Sequence, residues 1–398
     1  MLRIFVRHSY FVITRLRNFY RNFLLPTGLL AGTIIGAGVF ALPFIFKVAG
    51  LLTGFFYLLL ATVIYVLIHL FFADTIIRTP GEHRFVGYTR IYLGRTAGWI
   101  SVLMAVLEMV FVLTIYLVLS VSFINLFLPN LPDLWKLLIF WVLGSATIFL
   151  SLKKLTFLEF SITIGMILII IMTFVLGLGK LGKIGLNDFY PNFEGLLFPL
   201  GPLLFALGGR VAIPYLVKYF HLPNIGHQHR FIRRSIIWGT VIPAIVYGFF
   251  ILGVLGLSRS VTEDSISGLV GAVPGGLLAV LGVLGFLTLW SSYIVIGLDV
   301  KSVLLHDLKF SRAMRIAIVV LAPLALYFLG FQNFIGLVSF VGGIFLAVEG
   351  IFITLMWLKA NRVISRKPDV VSTKSVPLAF LTIFILSVTL IFSIFKFY

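Results

Sequence analysis

The stretch Gly32-Thr33-Ile34-Ile35-Gly36-Ala37-Gly38-Val39-Phe40-Ala41-Leu42-Pro43 decides how this chain folds. It lies in an apolar run, 24–46, long enough to cross about 30 Å of hydrocarbon as a helix. Yet it carries three glycines and a proline. Glycine costs about 1 kcal/mol per residue in a helix interior, and proline removes an amide donor. The run is therefore expected to unwind near the Gly36 to Gly38 step. A second run, 195–220, contains Phe205-Ala206-Leu207-Gly208-Gly209-Arg210-Val211-Ala212-Ile213-Pro214, with its weak point at a similar depth. Unwound backbone at mid-bilayer is tolerated only where it is buried in protein or lines a cavity.

Outward from these two segments, nine further runs are long enough to span: 51–73, 97–128, 134–152, 155–178, 235–257, 270–298, 313–330, 334–358 and 376–395. The chain of 398 residues is 61% apolar and 11% charged. That composition is a polytopic membrane protein of eleven spans. The net charge of +18 is a topology signal, because the basic residues cluster between spans. Twenty-four of the 31 Lys and Arg fall on the side of the N-terminus, six fall opposite, and Arg210 lies within a span. The N-terminus is thus expected in the cytoplasm and the C-terminus outside, in the plasma (inner) membrane. The basic segment 1–22 is expected on the inner membrane surface.

The broken spans are the first and the sixth, so they cross the bilayer in opposite directions. This is the geometry of a five-plus-five inverted repeat, about 23–178 and 193–358, with 359–398 adding a cytoplasmic loop and an eleventh helix. Broken helices at corresponding positions of two halves point to a midplane substrate site in a secondary transporter. Free amides at a half-helix start attract a carboxylate, and free carbonyls at a half-helix end attract an ammonium or a metal ion. The competing reading is that Gly36, Gly38, Gly208 and Gly209 only let helices pack closely.

Gly36-Ala37-Gly38-Val39-Phe40-Ala41-Leu42-Pro43 resembles the first-helix signature of the amino acid-polyamine-organocation superfamily. With Gly32-Thr33-Ile34-Ile35 added, it is most similar to the hydroxy and aromatic amino acid permeases, the amino acid/auxin permease-like group. Ser291-Ser292-Tyr293-Ile294-Val295-Ile296-Gly297-Leu298-Asp299, followed by His306-Asp307-Leu308, resembles a second segment of those permeases. The resemblance implies a substrate carboxylate on the amides of Gly36, Ala37 and Gly38. It implies the amine at carbonyls near Phe205, Ala206 and Leu207, beside Gly208 and Gly209. A neutral, large apolar or aromatic L-amino acid is the implied substrate, with Phe40 and Phe205 as apolar walls. Spans 1, 2, 6 and 7 would rock against spans 3, 4, 8 and 9.

Three charged residues, Arg210, Glu108 and Glu349, fall within spans 6, 3 and 10. Arg210 stays protonated and is expected to pair with Glu108 or Glu349. A fixed cation there would oppose a metal ion, whereas Ser291 and Ser292, with carbonyls near Gly32 and Ile35, match a sodium site. The alternative for the serines is a bond back to a helix carbonyl. Because a membrane-buried Glu can take up a proton, proton coupling or ion-independent transport is expected ahead of sodium coupling, with proton or sodium as the candidate coupling ions and no other cofactor.

Other classes are poorly supported. No cysteine is present, which removes disulfides, thiolate metal sites and Cys nucleophiles. No phosphate-binding Gly-rich loop ending in Lys-Ser/Thr occurs, and no His-Glu-x-x-His pattern. The scattered acids argue against a lipid-modifying enzyme, and His227-Gln228-His229 lacks further metal ligands. A channel or a non-transporting sensor on the same fold remains the alternative. The expected partners are an amino acid and the bilayer, with no nucleic acid; the oligomeric state is open.

Overall fold

A computed structural model describes residues 17, 19–149, 155–180, 185, 189–190, 195–220, 229–258, 260–363 and 370–397. Most of the basic N-terminal segment, Lys153, Lys154, His227 and Gln228 lie outside them. Among the described residues the chain is helical, without a β-strand ladder. Five spans are unbroken helices that pass the length and hydropathy of a membrane crossing: Leu51–Arg78 (span 2), Arg95–Phe127 (span 3), His229–Leu257 (span 7), Gly275–His306 (span 8) and Val376–Phe397 (span 11). Helices at Asp133–Phe149, Leu155–Leu178 and Arg312–Phe328 take the places of spans 4, 5 and 9. Span 10 runs as Phe334–Phe340, a widened π-helical turn Val341–Leu346, and Ala347–Val363.

Spans 1 and 6 are broken. In span 1 the helix Leu25–Ile34 ends, Ile35 and Gly36 are extended, a 3-10 turn follows at Ala37–Ala41, and a helix resumes at Leu42–Ala49. The flanking segments Tyr20–Ile34 and Ala37–Ala49 are bent by 51°. In span 6 the helix Leu200–Leu207 stops, residues 208–211 are non-helical, and Ala212–Phe220 resumes. A common cause is proline in the first turn of each second half, Pro43 and Pro214. Its ring excludes the carbonyl four residues earlier, Val39 and Arg210, from an α-helical bond. Arg210 thus lies inside the break.

The packing follows the five-span offset. Span 7 packs on span 5 as span 2 packs on span 10, span 7 meets span 1 as span 2 meets span 6, and span 8 meets span 4 as span 3 meets span 9; spans 3 and 8 form the central pair. Each contact and its partner differ by five spans, the signature of an inverted repeat. Spans 5 and 7 touch backbone to backbone, since a Cβ on Gly253 would lie 2.8 Å from the Cα of Phe174. Leu52, Phe56, Leu59 and Val63, spaced by four, three and four, form an exposed stripe of span 2 that fits a lipid-facing helix side.

The segment between spans 2 and 3 is more ordered than a basic loop. It contains the helix Phe85–Leu93, which packs on spans 3 and 10 and turns into span 3 at Gly94, whose φ of 94° suits only glycine. Near it, buried Asp74 accepts hydrogen bonds from Arg78 Nε and Trp357 Nε1, both at 2.9 Å, fastening span 2 to span 10.

Candidate functional site

The two breaks meet. A Cβ on Gly38 would lie 2.6 Å from the Cα of Ala206 and 3.1 Å from Cδ1 of Phe205, so the 3-10 turn of span 1 rests directly on the end of the first half of span 6. Reciprocally, a Cβ on Gly209 would lie 2.5 Å from Cγ1 of Ile34. For Gly38 and Gly209 the close-packing role is therefore the one the structure displays. Gly36 differs. A Cβ added to it would meet only the Ile34 carbonyl oxygen, at 3.9 Å. Gly36, Phe205, Gly208 and Arg210 keep partial exposure, while Ala37, Gly38, Ala206, Leu207 and Gly209 are buried.

The backbone at this junction carries unsatisfied groups. The 3-10 turn begins at Ala37 with no side-chain cap on its first amides, so the amides of Ala37 and Gly38 have no intrahelical acceptor. At the ends of both first halves, two buried tyrosines occupy carbonyls. Tyr247 of span 7 lies 2.7 Å from the Ile34 oxygen and 2.9 Å from the Ala206 oxygen, and Tyr65 of span 2 donates to Leu204 at 2.6 Å. Ala206, expected as an open ligand, is thus already engaged, and the Phe205 carbonyl accepts from the Gly208 amide at 3.4 Å, with the Leu207 carbonyl beside it. Neither tyrosine was singled out from the sequence. The available signal was a tyrosine within each of spans 2 and 7, one of two in span 2, which periodicity cannot separate from ordinary core residues.

Phe40 does not wall the site. It is fully buried and packs edge-on against Phe123, at 4.9 Å between ring centroids, and Phe250, at 5.7 Å. The turn at Ala37–Ala41 delivers it into the contact between spans 1, 3 and 7.

Arg210 finds its carboxylate in Glu349. Nε lies 2.5 Å from Oε2, with side chains 13% and 9% exposed, and the guanidinium stands 4.7 Å from the Phe85 ring centroid. Glu108, the other candidate, makes no ion pair with Arg210 but lines the same crevice with Glu349, Phe85, Ser101, Phe345 and Phe352. Both acids and Arg210 interact electrostatically, with Asp299 as a further charge in range. The widened turn of span 10, just before Glu349, aims this part of the helix; such turns commonly mark functional positions.

The possible sodium ligands are less closely gathered. Ser291 is buried, and span 8 packs chiefly against spans 3, 4, 5 and 9. Gly32 and Ile35 belong to span 1, where the Ile35 amide donates back to Ala31. His69 is a hydrogen-bonded core residue, its Nδ1 3.0 Å from Thr240 Oγ1.

Two broken antiparallel spans touching at unsatisfied backbone, within a five-plus-five helical repeat, define a secondary transporter of the inverted-repeat class. Residues 21–395 match the tryptophan/tyrosine permease family, and the chain belongs to that family. It is accordingly a multi-pass membrane permease and not an enzyme. Solved structures with the same fold include MhsT in complex with L-phenylalanine, at 16% identity and a TM-score of 0.59, covering 94% of this chain and 98% of that one. The Eremococcus coleocola manganese transporter, in complex with an aromatic bis-isothiourea compound, aligns at 14% identity and a TM-score of 0.61, covering 93% and 85%. A nucleobase-cation-symport-1 family transporter, closed with bromovinylhydantoin bound, aligns at 16% identity and a TM-score of 0.57, covering 83% and 77%. At these identities the likeness is one of fold. No curated protein matches the sequence.

Proposed function

We propose that this permease moves a neutral aromatic L-amino acid, of the tryptophan or tyrosine type, across the plasma membrane by alternating access, binding it across the breaks of spans 1 and 6. The observation that carries this reading is the junction itself. Uncapped amides at Ala37 and Gly38 meet the carbonyl end of Leu200–Leu207 beside the partly exposed Gly36, Phe205 and Gly208. A carboxylate suits the amides and an ammonium the carbonyls. The family and the half-exposed Phe205 favour an aromatic side chain.

Alternating access needs a closure on each side of the site. On one side Phe40 of span 1 packs against Phe123 of span 3. On the other, Arg210 of span 6 is bound to Glu349 and covered by Phe85. The distribution of Lys and Arg puts the Phe85 side in the cytoplasm, with the N-terminus inside and the C-terminus outside.

Coupling is to protons rather than sodium in this reading. The repulsion of about 3 kcal/mol that a bare cation about 6 Å from a metal ion would exert at an effective dielectric near 20 does not itself exclude sodium, because Arg210 is paired; the proton reading rests on Glu108. Glu349 neutralises Arg210, which leaves Glu108 as a carboxyl at bilayer depth outside that ion pair, a type of group used in proton relays. The test is uptake of L-tryptophan into proteoliposomes under an imposed pH gradient or an imposed sodium gradient. A pH gradient is expected to drive accumulation, and Glu108→Gln to abolish the accumulation while sparing exchange of internal for external substrate. Sodium-driven uptake lost in Ser292→Ala would overturn the proton assignment. Flux that never exceeds equilibrium under any gradient would indicate a channel or an uncoupled carrier.

A further inference from the structure

Spans 2 and 7 are equivalent by the five-span offset, and so are spans 1 and 6. Tyr65 of span 2 reaches the carbonyl end of the first half of span 6, and Tyr247 of span 7 reaches the carbonyl end of the first half of span 1. The two contacts are related by the repeat. Both rings are buried, so their hydroxyls serve only the interior. Tyr247 goes further and lies between two half-helix ends at once, Ile34 and Ala206.

A half-helix end carries a partial negative charge from its unpaired carbonyls. Such an end at bilayer depth needs donors, and a phenol supplies one neutral donor at a fixed place. Tyr247 has a single proton for two carbonyls, so full satisfaction of both ends requires a further donor. An amino acid ammonium has three.

We infer that Tyr65 and Tyr247 are positioning residues of the substrate site: a symmetry-related pair of phenolic caps that hold the carbonyl ends of both broken half-helices in the geometry that receives the substrate's ammonium. This rests on the proposed binding of an aromatic amino acid at the breaks, and it adds which groups shape the ammonium subsite. Tyr65 serves one end and Tyr247 two, so Tyr247 is the stronger determinant.

A purely structural staple would weaken every ligand alike, and the experiment separates the two roles. Affinity is measured for L-tryptophan and for 3-(indol-3-yl)propionate, which keeps the ring and carboxylate but lacks the ammonium, in wild type, Tyr247→Phe and Tyr65→Phe. Phenylalanine keeps the ring and its packing. Tyr247→Phe is expected to weaken L-tryptophan about tenfold, which corresponds to about 1.4 kcal/mol, and to leave the propionate within about twofold, with Tyr65→Phe showing the same pattern to a smaller degree. Equal weakening of both ligands, or unchanged L-tryptophan affinity in both variants, would overturn the caps while the substrate assignment stands. A wild type that binds neither ligand would instead remove the substrate assignment, and this inference with it.

Discussion

Arg210→Gln is expected to destabilise the protein by about 3–5 kcal/mol, read as a large fall in melting temperature in detergent. The reason is the carboxylate left behind. Glu349 is 9% exposed and its bound cation is Arg210; removing one partner of a buried pair leaves an uncompensated charge in low dielectric. The double change Arg210→Gln with Glu349→Gln removes both charges and keeps hydrogen-bonding amides of similar size, so it should recover most of the loss. Arg210→Lys keeps the charge but lacks the planar group that lies against Phe85 at 4.7 Å, and should fall between. Equal melting temperatures for wild type and Arg210→Gln would show that the pair contributes nothing. The recovered double variant would then serve to ask whether the charges matter for transport once the fold is restored.

Gly38→Val should abolish transport, because it forces the breaks apart. Its Cβ would lie 2.6 Å from the Cα and 3.0 Å from the Cβ of Ala206, and the first of these is backbone that cannot swing away. Overpacking a filled interior commonly costs about 1–3 kcal/mol, and here the strain falls on the junction that holds the substrate. Even Gly38→Ala should be impaired, and adding Ala206→Gly should restore part of the function by clearing the nearer side-chain contact. Wild-type transport by Gly38→Val would contradict the direct seating of span 1 on span 6.

The architecture was legible because it rests on signals that do not depend on side-chain detail. Apolar run lengths set the spans, and glycine with proline marked both breaks, Gly36 with Pro43 and Gly208 with Pro214. The identity of Arg210's partner was not legible, since Glu108 and Glu349 share its depth and only the rotation of spans 3 and 10 selects between them. Phe40 shows the same limit. Its place next to the break suggested a wall, but a 3-10 turn advances about 120° per residue instead of 100°, and this turn delivers Phe40 to Phe123 and Phe250. The helix Phe85–Leu93 was hidden by its mixed composition, yet it supplies the ring over Arg210. Tyr65 and Tyr247 were invisible for another reason: their importance lies in the carbonyls they reach, on elements 139 and 213 residues away in the chain.

The central claim is that the substrate sits on the break of span 1, and Gly36 allows it to be tested without disturbing the packing. A Cβ added there meets only the Ile34 oxygen, at 3.9 Å, and the extended backbone at φ −146° accepts a β-branched residue. The measurement is equilibrium binding of L-tryptophan to purified wild type and Gly36→Val, with melting temperature recorded for each. Wild type should bind, and Gly36→Val should melt at nearly the same temperature yet show no measurable binding, because the new side chain fills the approach to the amides of Ala37 and Gly38. Undiminished affinity in a folded Gly36→Val protein would contradict the account and place the substrate elsewhere.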